Sequence, residues 1–144
     1  MDNNINLTIL NEAGKAAKMG MDSISYISEK VGDEDMKSNL SSQYTGYQNI
    51  LQKIDTQFEK YGELPDDESI GQKMMLWTGV QFNTMTDKSN SHIAEMMIQG
   101  NIMGIVECQK LLNHNPRAEQ PVKDILNSFV TFQNNNIEKM KEFL

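Results

Sequence analysis

Few residues in this sequence have a type and spacing that could do chemistry, and most of those are uncharged. His92 and Glu95 stand three apart, close enough on a helix to offer two metal ligands together, yet both fall on a polar arc that reads as solvated surface. Asp22 is an acid that flanks an apolar seam instead of lying on it. Cys108 sits in an apolar arc with no histidine placed to activate it, so it reads as a small core hydrophobe. His114 falls where a helix should end and reads as a capping or surface residue. Five neutral polar residues stand out more: Tyr44 and Tyr47, three apart, Asn101, and Gln133 and Asn136, again three apart. Buried phenols and amides must be paired, and they can fix helix register by hydrogen-bonding each other or water. The alternative is that they line a small cavity for a neutral molecule. No catalytic signature emerges.

The elements that would position these residues are all helical. Leu10, Ala13, Ala17, Gly20, Ile24, Ile27 and Val31 recur at steps of three and four, which predicts a helix over residues 6–31. Gly32 fits the position just past its end, and Asp33 fits the N-cap of the next helix. That helix, residues 34–61, has its seam at Leu40, Tyr44, Tyr47, Leu51, Ile54, Phe58 and Tyr61, and Gly62 and Pro65 stop it. A shorter helix is expected over 68–84 from Ile70, Met74, Trp77 and Gln81, with Asp67 able to cap it. The TDKSNS run at 86–91 should end that piece before the most apolar stretch, residues 89–112. There Ile93, Ala94, Met97, Ile98, Gly104, Ile105, Cys108, Leu111 and Leu112 share one arc. Met96, Gly100 and Met103 extend the arc, so this helix should touch more than one neighbour. Met74, Met75, Trp77, Phe82 and Met85 are expected to cover the extension; otherwise it is a self-association surface. Gly100 and Gly104 permit a close helix crossing. The last helix should start between 117 and 120, with Pro121 tolerated in its first turn and a seam at Val122, Leu126, Phe129, Gln133, Asn136, Met140 and Phe143.

The expected architecture is therefore all-α, two helical hairpins joined by a long connection that carries a short extra helix. Such a connection can run the length of the bundle and set the third helix parallel to the second. An up-down bundle would instead need a third helix far longer than its partners. At 144 residues the whole of 1–144 reads as one domain. A net charge of −7 and a pI near 4.8 argue against nucleic acid and anionic membranes as partners. A single cysteine allows no internal disulfide, no signal pattern opens the chain, and Gln99, Asn101 and Glu107 interrupt the apolar runs. A soluble cytoplasmic protein is expected.

Three stretches, MGMDSI at 19–24, SHIAEMMIQGNIMG at 91–104 and NNNIEKMKEFL at 134–144, resemble the ferritin-like superfamily, in particular small bacterial ferritin-like proteins of unknown function. The resemblance implies a ferritin-like four-helix bundle with one long crossover. In members that work on metals it also implies inward carboxylates on all four helices, with Glu-x-x-His on two, around a pair of iron or manganese ions. This chain departs from that pattern. Helix one offers Ala17 and Gly20 at its inner mid-positions, helix two Tyr44 and Tyr47 where an acid and a histidine would stand, helix three Asn101, and helix four Gln133 and Asn136. Neutral groups cannot offset the charge of two such ions. The expectation is a non-catalytic bundle with no cofactor, acting through protein contacts and as a homo-oligomer such as a dimer. The alternatives are an iron- or manganese-dependent oxidoreductase or storage protein with a non-standard site built on Asp22, His92 and Glu95 with the tyrosines, and a small-molecule binder in the bundle core.

Overall fold

The structure, a computed structural model, describes residues 2–66 and 87–144, with side chains from residue 5 onward. The expected short helix over 68–84, its cap Asp67 and the covering residues Met74, Met75, Trp77, Phe82 and Met85 lie outside the described residues. Among the described residues the chain forms four helices: α1 (Asp2–Ser28), α2 (Glu34–Tyr61), α3 (Asn90–His114) and α4 (Gln120–Lys141).

Local chemistry sets most of their ends. Asp33 caps α2 by accepting from the Met36 amide at 2.8 Å, and Glu34 and Asp35 follow in the first turn, where the helix dipole favours acids. Gly62 closes α2 in the left-handed conformation, φ 70°, with its amide turned back to Glu59 and Phe58. Ser89 caps α3 by accepting from the His92 amide, and Pro121 occupies the first turn of α4. The first helix departs from its expected bounds. It begins at Asp2 and ends at Ser28, not Val31, because a tight turn from the Lys30 amide to the Ile27 carbonyl breaks the ladder and folds Val31 back into the core. Gly32 is therefore not a left-handed cap; Gly62 is the only glycine at positive φ among the described residues. Asp66 exchanges hydrogen bonds with the Asn11 side chain.

The seams meet in one core. α1 packs along α2, α3 along α4, and the two hairpins join through α2 against α4 and α1 against α3. Ile9, Leu10, Ile24, Ile27, Leu40, Ile54, Phe58, Ile93, Leu126, Phe129 and Met140 are all essentially water-free. Each such side chain contributes roughly 1.5–3 kcal/mol of hydrophobic stabilisation. Side-chain ties fix the direction of the helices. Asn6, at the start of α1, accepts from the Glu119 amide at the start of α4, and Tyr61, at the end of α2, donates to the Glu119 carboxylate at 2.7 Å. So α2 ends where α1 and α4 begin. Midway along, Tyr47 of α2 meets Asn101 of α3 with both helices about halfway run, while Asn136 reaches them from the last third of α4. Helices α2 and α3 are parallel on one diagonal and α1 and α4 on the other, the layout that a single long crossover produces. No described helix is long and apolar enough to cross a membrane.

Candidate functional site

The centre of the bundle is held by neutral hydrogen-bonding groups. Asn101, 2% exposed, gives its amide N–H to the Met97 carbonyl one turn back at 2.8 Å, which leaves its oxygen facing inward. That oxygen accepts from Tyr47 Oη at 3.4 Å and from Asn136 Nδ2 at 3.3 Å, both long bonds between buried groups. Tyr47 is wedged by aromatic edges, its ring meeting Phe132 at 4.8 Å and Phe129 at 6.1 Å between centroids, both near perpendicular. Its other side lies against Gly20, where any Cβ would strike the ring. Burial pushes the Tyr47 hydroxyl far above the ordinary tyrosine range, more than its contact with Asn136 pulls it down, with nearby Cys108 adding to the rise. It stays a neutral phenol at any physiological pH.

Gln133 completes the centre differently. Its side chain lies over Gly104, where a Cβ would collide with it, so the glycine of α3 makes the space that the α4 amide fills. Its Oε1 is buried and has no hydrogen-bond partner. Gln133 borders a cavity of about 40 Å³, lined also by Met19, Gly20, Tyr47, Met96, Met97 and Asn101, among others. That volume suffices for about two or three waters at roughly 15 Å³ each. Gln43 is the other buried amide whose oxygen lacks a partner, but it borders an open groove between α2 and α4.

The structure thus brings together Tyr47, Asn101 and Asn136 by hydrogen bonds, and Gln133 with Tyr47 and Asn101 around one cavity. Tyr44 is half-buried and takes no part in the network or the cavity wall. Asp22 and Glu95 are exposed and His92 is half-buried. Among the described residues no three His, Cys, Asp or Glu side chains are placed to hold a metal ion. Cys108 is 1% exposed, and burial foremost, with Glu107 adding, pushes its thiol up to about 12. Asn6 had no periodic signal, because it precedes the seam, yet it is fully buried as the tie between α1 and α4. Of the methionines that line the cavity, Met97 lay on the expected arc of α3 and Met96 on its extension, whereas Met19 lies off the α1 seam and carried no signal.

The chain matches no protein-family model and no curated protein. Its similarity lies in structure. YcfI from Rhodopseudomonas palustris superposes with a TM-score of 0.82 at 14% identity, over 98% of this chain and 93% of that one. A DUF305 fragment from Deinococcus radiodurans gives 0.76 at 11% identity, over 96% and 93%. The bacterioferritin-related protein of Bacteroides fragilis, a dodecameric thioferritin, gives 0.76 at 10% identity, over 99% of this chain and 85% of that one. The fold is ferritin-like. Among the described residues, an amide triad and a phenol stand at the centre of the bundle. An uncharged phenol and amides do not fit two divalent iron or manganese ions, whose desolvation needs several anionic ligands.

Proposed function

We propose that this protein is a non-catalytic ferritin-like bundle of the cytoplasm that acts through protein contacts, self-association among them. The observation that carries the reading is the neutral centre, where Tyr47, Asn101 and Asn136 are joined by hydrogen bonds. Such a network rigidifies a bundle and fixes its register, which suits a scaffold. Apolar side chains left in solvent support the use of surfaces. Ile102 and Val106, one turn apart on α3, are 48% and 44% exposed, and Ile5 and Tyr26 of α1 are similarly open. Among the structural neighbours, the description of YcfI provisionally assigns it a structural role, and the thioferritin is a dodecamer. The lone buried thiol of Cys108 suits a reducing compartment.

Light scattering coupled to size-exclusion chromatography tests the reading. The expected result is a mass at least twice the 16.4 kDa of one chain, reduced towards the monomer by Ile102→Lys with Val106→Glu. A strictly monomeric wild-type protein across the micromolar range contradicts it.

A further inference from the structure

Methionine in a core ordinarily closes irregular gaps, because three free torsions let it fill whatever space remains. Around the central cavity three methionines do the opposite. Met19 of α1 and Met96 and Met97 of α3 border a space of about 40 Å³ that stays open, and the two glycines Gly20 and Gly100 widen it. Gln133 stands in the same wall, 2% exposed and with a side-chain oxygen that has no partner. So three thioether side chains and an amide line the cavity, with no carboxylate. A hard divalent ion gains too little from neutral donors to offset its lost hydration. A soft monovalent ion is different: thioethers are the donors it prefers, and a single positive charge costs far less to bury.

We propose that the cavity binds one soft monovalent cation, copper(I), through the thioethers of Met19, Met96 and Met97, with the Gln133 amide oxygen as a further donor. Met96 and Met97 are 3% and 6% exposed, whereas Met19, Gly20, Ser23 and Gly100 of the same lining are half-buried. The Asn101 network stands behind the site and holds α3 against α2 and α4, which keeps Met96 and Met97 at the cavity wall. This inference is independent of self-association, because the site is complete within one chain.

The test is an anaerobic titration of the full chain with copper(I) against a chromogenic copper(I) chelator, repeated with silver(I) as a redox-inert probe. The account predicts one ion per chain for both metals. Met96→Leu and Met97→Leu, which conserve volume, should each weaken binding by about tenfold or more. Met140→Leu, a buried methionine away from the cavity, should leave it unchanged, as should Cys108→Ala, which removes the competing soft ligand. X-ray absorption of the copper(I) complex should show thioether sulfur that is lost stepwise in the two cavity variants. No binding by folded wild-type protein, the result if the cavity takes ordered water only, overturns the proposal. So does a stoichiometry abolished by Cys108→Ala alone.

Discussion

Asn101 shows how one side chain can tie three helices together. Its amide nitrogen is spent on its own helix, so its oxygen becomes the single acceptor for a phenol from α2 and an amide from α4. The buried protons around it have a measurable consequence. Cys108 ionises at about 12 in the folded chain against 9.0 when free, and Tyr47 is raised in the same sense. Above pH 9 the unfolded chain gives up the thiol proton while the folded chain keeps it, so the unfolded state binds fewer protons and stability falls as pH rises. Stability is fully present below pH 9 and declines towards pH 12, by about 1.4 kcal/mol per pH unit for each such group. Urea unfolding from pH 8 to 11 should show this fall, and Cys108→Ala should flatten it between pH 9 and 10, before tyrosine ionises in the unfolded chain. A profile flat to pH 11 in the wild type contradicts the burial described. At this scale, the sequence made Tyr47, Gln133 and Asn136 readable because each lies on a seam whose neighbours are apolar. Tyr44 misled, because residues three apart differ by about 60° around a helix and only one of the two faces the centre. The Gln133 oxygen's lack of a partner depends on packing across helices, which no spacing encodes.

The helices carry their own complementarity, most plainly where α3 meets α4. Gly104 presents bare backbone to the Gln133 side chain, and a methyl group there overlaps the amide. Gly104→Ala should therefore destabilise the bundle by about 1–3 kcal/mol despite the better helix propensity of alanine. Adding Gln133→Ala should recover most of that loss, and a denaturant double-mutant cycle measures the difference. An additive cycle would show that the two residues do not meet. The helix spans were largely legible: α2 runs over the expected 34–61, α3 departs from 89–112 by a residue or two, and α4 starts within the expected 117–120. The end of α1 was not, because the Lys30 amide turns back to the Ile27 carbonyl and Val31 returns to the core without a left-handed glycine. Gly32 carried the right residue type in a place that had no need of it.

For the whole molecule, the decisive feature is the contrast between a ferritin-like frame and an uncharged centre. The frame was readable from four seams and one long connection, since short links force hairpins and a long one permits the parallel α2 and α3. The centre's chemistry was readable only as a list of neutral residues; that Tyr47, Asn101 and Gln133 share one cavity and Asn136 bonds to Asn101, with Asp22 and Glu95 left on the surface, required the packing itself. The claim on which the account turns is that this centre does not serve a hard di-metal pair. Anaerobic loading with iron(II), followed by metal analysis and an oxygen-consumption assay, tests it most directly. The account predicts iron well below one ion per chain after desalting and no acceleration of iron(II) oxidation over buffer. Two iron ions retained per chain and lost on Asp22→Ala or Glu95→Ala would contradict it.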